Sequence, residues 1–273
     1  MGSSSERRGG VHATAVVQPG AEVPASVEVG PFAVIGPRVR LGPGCLVEAH
    51  AVIVGDTVLG AENLVGSHAV LGGVPQVRGL GREAGALRIG DGNTFREHCT
   101  VHVGQPGSAT HLGDGNLLMV GSHVAHDCHL GDGVELANGV QLAGHVHVDD
   151  HAGMGGLSAA HQFVRIGSHA FVGAGALVSQ DVPPFSLAAG DRARIFGLNE
   201  VGLRRHGFEP EQRRRLGRAL RLLLRASTLE EGLAGLRQDQ PPSPELRLLL
   251  DFAQGSTRGL CRLAGRHARD EGV

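Results

Sequence analysis

Five polar side chains recur at a spacing that would gather them on one edge of a repeating fold. One constant interval separates His126, Gly144 and Gln162, and the same interval separates Asp127, His145 and Phe163, and Ala125, Ala143 and His161. If that interval is one complete turn of the chain, these positions stack at roughly the 4.8 Å spacing of neighbouring strands. His126, Asp127, His145, His161 and Gln162 then share one edge over three coils, with His123 on the strand leading into it. A neutral imidazole beside a carboxylate is a competent general base near neutral pH. Gly144 between the polar groups would let a backbone N–H approach a ligand closely. Two other chemistries fit the same residues: a cluster of imidazoles can hold a metal, and a polar corner can simply be solvated. Against a metal, Cys128 is expected to point inward, and no second carboxylate joins Asp127 on that edge.

The length of the turn follows from a shorter period. Aliphatic residues recur every six positions from Val11 through Ile35 and Ile53 to Leu71, again at Ile89, Phe95 and Val101, and again from Leu112 through Leu130 and Val148 to Val178. The residue after each is often Gly or Ala, and the fifth position is usually small, as at Ala33, Ala51, Ala69 and Val134. Period six fits neither an α-helix nor a hairpin. It fits a parallel β-helix, in which each hexad gives one short strand and one corner. Three hexads per turn match the interval between the polar columns and make roughly nine coils. Two interruptions, at 73–88 and 103–111, read as loops projecting from the prism, and loops on a rigid scaffold are natural places for function.

The period stops at Pro183-Pro184. Beyond it, Leu216, Leu220, Leu223 and Leu224 fit one helix face and Leu246, Leu249, Leu250 and Ala253 another. Pro210 suits a first helical position, and Pro241-Pro242 should break a helix. The expected division is a flexible tail over 1–10, a β-helix over 11–190 and a helical domain over 191–273. The last is too small to fold without packing on the prism or a partner.

Composition agrees with a narrow, regular core. Forty-four of the 273 residues are Gly, only 3% are aromatic, and all 25 basic residues are Arg. A net charge of −2 argues against electrostatic binding of nucleic acid. No apolar run approaches the ~18 residues of a transmembrane helix, and the N-terminus lacks a signal peptide's apolar segment. Cys45, Cys99, Cys128 and Cys261 form no close pair, which favours a reducing cytoplasm over disulfides or a zinc site. Cys45, Cys99 and Cys128 fall at the inward fifth position. His50, His68, His151 and His169 each fall at the third place after a phased aliphatic and are expected to face solvent.

Beyond the period, the chain resembles the UDP-N-acetylglucosamine O-acyltransferase family over roughly residues 11–265. The resemblance rests on Asn116-Leu117-Leu118-Met119, Ala125-His126-Asp127-Cys128, Leu142-Ala143-Gly144-His145-Val146, Ala160-His161-Gln162-Phe163, Gln180-Asp181-Val182-Pro183-Pro184 and Ser256-Thr257-Arg258-Gly259-Leu260. It implies an all-β solenoid, a left-handed parallel β-helix that breaks the usual right-handed crossover rule, with a C-terminal α-helical domain. It implies a cytoplasmic homotrimer with active sites between subunits. The implied reaction moves a (R)-3-hydroxyacyl group from acyl carrier protein to the 3-hydroxyl of UDP-N-acetylglucosamine, the first step of lipid A biosynthesis. It needs no cofactor or metal of its own, because the donor rides on the carrier protein's phosphopantetheine arm. By motif match His126 is the general base, Asp127 orients it, and the Gly144 N–H faces the developing oxyanion. Gln76, His123, His145, His161 and Gln162 would line the substrate pockets, Asn199 and Arg205 would meet the nucleotide, and Ala174 would set acyl length.

This chain departs from the family pattern in two places. Gln76-Val77-Arg78-Gly79 stands where the family usually reads Gln-Asp-Leu-Lys, and Asn199-Glu200-Val201-Gly202 stands where it tends to read Asn-Ile-Glu-Gly. A related nucleotide amino-sugar acceptor, a coenzyme A donor, a metal-dependent carbonic anhydrase of hexapeptide type and a non-catalytic scaffold are the alternatives. An Arg-rich segment, Arg213-Arg214-Arg215 with Arg218, Arg221 and Arg225, could receive an acidic carrier protein or simply be a solvated helix face.

Overall fold

The computed structural model describes residues 10–80, 83–237 and 242–265. The expected tail, apart from Gly10, lies outside the described residues, as do Pro241 and the end of the expected helical domain over 266–273.

Nearly every hexad forms a strand of two to four residues, the one around Val23 giving only a bridge from Glu22 to Arg40, and the chain steps in turn through three sheets of eleven, nine and seven strands. All the pairings within the coils are parallel. Val34 pairs with Val52 and Ile35 with Ile53, three hexads on. The nine-stranded sheet, from Val16–Val17 to Leu177–Val178, matches the nine coils expected. The second residue of each pair points inward. From Val29 to Val178 every phased position is buried, whereas Val11 at the open end of the prism is 49% exposed. Cys45, Cys99 and Cys128 are buried as small apolar residues, and so is Cys261.

Two register jumps mark the excursions. Leu64 pairs with Thr94, and Thr94 in turn with Leu117, each a longer step than the three hexads of a regular turn. Both loops are shorter than the hexad count indicated. Strand Val70–Gly73 reaches past the expected start of the first loop and strand Ala86–Ile89 begins before its expected end, with Leu87 fully buried. The second strand pair, Thr100–His102 and Ala109–Leu112, limits its loop to 103–108. Coils on either side are held in register by buried asparagines. Asn63 Oδ1 accepts from Asn93 N, Asn93 Oδ1 from Asn116 N, and Asn116 Oδ1 from Val134 N, at 2.7–2.9 Å.

The corners have their own regularity. Phe32, His50, His68 and His98 adopt φ near +60°, as do Asp127, His145 and Phe163, and His151, His169 and Phe185. A non-glycine residue in this conformation costs about 1–2 kcal/mol. The ladder of hydrogen bonds between coils holds it there, with His145 N donating to His126 O at 3.0 Å and Phe163 N to Gly144 O at 3.2 Å.

The prism ends in a hairpin rather than at residue 190. Ser186–Ala189 pairs antiparallel with Arg194–Leu198, so 194–198 continues the eleven-stranded sheet. Four helices follow: α1 (Glu200–Arg205), α2 (Pro210–Arg225), α3 (Leu229–Leu236) and α4 (Pro244–Gln254). Thr228 and Ser243 cap α3 and α4 by accepting from Glu231 N and Leu246 N. The expected faces are buried, except that Leu224 is only half-buried. The chain then returns to the prism, where Leu260 bridges Asp181 and Leu263 bridges Ile195. Ser256 Oγ donates to Asp181 Oδ2 at 2.6 Å, tying the helices down.

Candidate active site

Asp127 occupies a left-handed corner, fixed by donation of its N–H to Thr110 Oγ1 at 2.8 Å. The corner sends its carboxylate back over the 103–108 loop. Gln105 N donates to Oδ1 at 3.1 Å, Gln105 Nε2 to Oδ2 at 3.1 Å, and Ser108 Oγ to Oδ1. His126 Nδ1 completes the set at 2.7 Å from Oδ2. Burial pushes the Asp127 carboxyl up, but the hydrogen bonds from Ser108, His126 and Gln105 outweigh it, and the group lies below the ordinary carboxylate range. It is therefore ionised at neutral pH and can only accept. His126 must carry its proton on Nδ1, which leaves the Nε2 lone pair free to act as a base.

The His126 ring lies against Gly144. A Cβ at 144 would fall 2.5 Å from Cε1 and 2.7 Å from Nε2, so no larger residue fits beneath the ring as it stands. The Gly144 N–H has no acceptor among the described residues. An imidazole base over an unpaired backbone donor can take a proton from a hydroxyl and stabilise the oxyanion formed when that oxygen attacks a carbonyl. His145, one coil away, has its ring edge-on to His126 at 5.2 Å and stacked on Phe163 at 4.7 Å. Its Nε2 is 3.6 Å from Asp127 Oδ2 and 3.3 Å from Gln105 Nε2.

Other predicted positions lie further out. His123 is half-buried, its Nδ1 2.8 Å from Thr100 Oγ1, and burial lowers its pKa. His161 and Gln162 share the edge but are exposed; His161 Nδ1 bonds Gln162 O at 3.2 Å rather than the cluster. Gln76 is exposed on the first loop, and Ala174 is exposed at another corner. Asn199 and Arg205 line one cavity together with Glu135, His151, Phe171 and His206. Within the chain Asn199 is also a helix cap: Oδ1 accepts from Gly202 N at 3.1 Å and Nδ2 donates to His169 O at 3.0 Å. The expectation that His169 faces solvent is corrected. It is half-buried, stacked on Phe185 and edge-on to His206 and Phe208, and burial pushes its pKa down to about 4.

Sequence reasoning missed Gln105, Ser108, Thr110 and His102. The signal for the first two was the interruption at 103–111 itself. His102 packs edge-on against His123 at 4.8 Å, and burial takes its pKa to about 4.

His126, Asp127 and His145 approach closely enough to offer three ligand atoms to a metal. The Gln105 amide nitrogen, a donor that coordinates poorly, lies between the three groups at 3.1–3.5 Å, so an ion would have to displace it.

Coils of hexads that carry a carboxylate-oriented imidazole above an unpaired backbone N–H define a hexapeptide-repeat acyltransferase. Known proteins agree. Residues 109–144 match the bacterial transferase hexapeptide family, and residues 181–261 match the second domain of UDP-N-acetylglucosamine O-acyltransferase. The acyl-[acyl-carrier-protein]–UDP-N-acetylglucosamine O-acyltransferase of Myxococcus xanthus is 51% identical over 92% of this chain and 99% of its own. Among solved structures, LpxA from Acinetobacter baumannii matches with a TM-score of 0.89 at 38% identity, over 92% of this chain and 99% of that one. UDP-N-acetylglucosamine acyltransferase from Campylobacter jejuni gives 0.88 at 33%, over 93% and 100%. The chain belongs to the UDP-N-acetylglucosamine O-acyltransferase family. Its fold is accordingly a left-handed parallel β-helix with a C-terminal helical region. Membership displaces the carbonic anhydrase and scaffold alternatives. No helix among the described residues is long and apolar enough to cross a membrane.

Proposed function

We propose that this chain transfers a (R)-3-hydroxyacyl group from acyl carrier protein to the 3-hydroxyl of UDP-N-acetylglucosamine, the first step of lipid A biosynthesis. The observation that carries the reading is the 2.7 Å bond from His126 Nδ1 to an Asp127 carboxylate that three further donors hold ionised. His126 Nε2 takes the proton of the sugar hydroxyl as its oxygen attacks the thioester carbonyl. The Gly144 N–H donates to the tetrahedral oxyanion. Collapse expels the phosphopantetheine thiolate, which recovers the proton from His126, so the ester and the free thiol leave with the base restored.

In this reading the enzyme is a cytoplasmic homotrimer that needs no metal or organic cofactor. His123, His145, His161, Gln162 and Gln76 contact sugar or donor, Asn199 and Arg205 the nucleotide, and Ala174 ends the acyl groove. Several of these lie apart from His126 within one chain, as sites between subunits require. Val77 and Gly79, in place of the family's charged pair, favour a related amino-sugar acceptor as the second reading.

The test incubates the protein with UDP-N-acetylglucosamine, and separately with related nucleotide amino sugars, and a panel of acyl carrier proteins, with products read by mass spectrometry. An ester on UDP-N-acetylglucosamine is expected. His126→Ala is expected to lower turnover by roughly 10²-fold or more with unchanged β-rich circular dichroism. Near-normal turnover of that variant would remove His126 from the mechanism.

A further inference from the structure

Two imidazoles compete for one carboxylate in this site. His126 Nδ1 is 2.7 Å and His145 Nε2 is 3.6 Å from the same oxygen, Asp127 Oδ2. The Gln105 side-chain nitrogen lies between them, 3.1 Å from Asp127 Oδ2, 3.3 Å from His145 Nε2 and 3.5 Å from His126 Nδ1. We propose that Gln105 is a positioning residue that commits Asp127 to His126 alone and holds His145 as the Nδ1–H tautomer.

Hydrogen counting supports the assignment. An amide nitrogen has two hydrogens and no lone pair to accept with. The carboxylate fixes the amide's orientation, because a reversed amide would set its carbonyl oxygen against Asp127. The two hydrogens go to the two nearest acceptors, Asp127 Oδ2 and His145 Nε2. His126 Nδ1 already donates to Asp127, so its 3.5 Å approach to the amide is between two donors and is no bond. His145 Nε2 accepts only if it carries no proton, and the neutral ring then bears its proton on Nδ1.

Without the amide hydrogens, His145 Nε2 becomes free to protonate and to close its 3.6 Å gap to Asp127. That ion pair would draw the carboxylate from His126 and loosen the tautomer the base needs. The titratable groups around the pair are Asp127 itself, His147 beside His145, and His123 and His102 on the His126 side. Burial depresses the pKa of all three of these histidines, so they stay neutral near pH 7. The neighbouring Cys128 thiol is pushed up to about 12 by burial and also stays neutral. The loop has its own anchors in Gln105 N and Ser108 Oγ, which no change to the Gln105 side chain removes.

This inference rests on His126 being the base, and the experiment separates the two. Gln105→Met keeps the length and removes the donors. It is expected to lower kcat roughly tenfold, at the low end of what an orienting partner is worth. The KM for the sugar nucleotide should change less than twofold, and the acidic limb of the pH–kcat profile should move to higher pH. Long-range ¹H–¹⁵N spectra of the wild-type protein are expected to show Nδ1–H at both His126 and His145, with His145 gaining an Nε2 proton in Gln105→Met. A variant with wild-type kcat and pH profile overturns the proposal, and so does a wild-type His145 protonated on Nε2, whether or not the variant folds. If His126→Ala is inactive in the same assay while Gln105→Met is normal, only the role of Gln105 falls; an active His126→Ala removes the mechanism beneath it.

Discussion

Gly144→Ala isolates the position of the proposed base from its chemistry. The φ of Gly144 lies outside the left-handed region, so alanine fits the backbone, and it retains the N–H assigned to the oxyanion. Only the added methyl matters. It would lie 2.5 Å from His126 Cε1, 2.7 Å from Nε2 and 3.1 Å from Nδ1. Carbon atoms pack at about 3.5–4.0 Å, so the ring must retreat by about 1 Å. A misplacement of that size can cost about 10²-fold in rate, and it also stretches the 2.7 Å bond to Asp127. The ring is partly exposed and can swing toward solvent, so stability should fall by no more than the roughly 1–3 kcal/mol typical of overpacking. The expected result is an intact β-helix by circular dichroism with kcat lowered about 10²-fold at saturating acyl donor and acceptor. Turnover within threefold of wild type would refute the reasoning, because the base would then tolerate the displacement that the added methyl forces.

Two further outcomes follow from the helical region. Arg213 pairs with Glu200, and Arg214 and Arg218 with Glu211, whereas Arg221 and Arg225 have no ion pair among the described residues. Reversing Arg221 and Arg225 to Glu is expected to raise the KM for the acidic protein donor and to flatten its salt dependence, with an unchanged KM at low salt excluding them from docking. Burial depresses the His169 pKa to about 4 from an ordinary value near 6.5, so between those values the unfolded chain binds the extra proton. Stability should therefore fall as pH drops from about 6.5 to about 4, and His169→Phe should flatten the fall in a thermal melt. Phe185 already occupies the matching corner conformation.

The period made some of the site legible and left the rest invisible. Asp127, His145 and Phe163 could be stacked by arithmetic because every coil repeats the hydrogen bonds of the last. The same arithmetic put His161 and Gln162 on the edge but could not give their distance from the cluster. Gln162 is two coils from His126, roughly 10 Å at the strand spacing, which is beyond hydrogen-bond reach. Gln105 was out of reach for the opposite reason. It precedes Asp127 by more than one regular turn and sits inside an insertion, where no fixed period relates a side chain to a column. His169 was correctly turned outward by its hexad position, but what lies outside it is decided by Phe208 and His206 after the prism has ended. The loop limits failed for a related reason: Leu87 and Thr110 are buried strand residues that the phase of the aliphatics did not count.

In the proposed mechanism the chemistry arises where the repeat is broken, not from the repeat. On this edge the residue before each left-handed corner has no acceptor for its N–H among the described residues, at His126, Gly144 and Gln162 alike. A solenoid therefore offers the same outward donor on successive coils, and three identical donors cannot select one reaction centre. Selection comes from two departures. Gly at 144 removes the side chain that would fill the space under His126. The extra length by which the second loop exceeds a regular turn brings Ser108 and both the backbone and the side chain of Gln105 onto Asp127, with His145 on the next corner meeting only the Gln105 amide. Moving that loop by one coil would give the orienting hydrogen bonds to a corner where His145 has no carboxylate to share. The proposed reactive geometry thus needs the insertion one coil before His126 and Asp127 and the glycine one coil after them, and either one alone leaves a polar edge without the full arrangement.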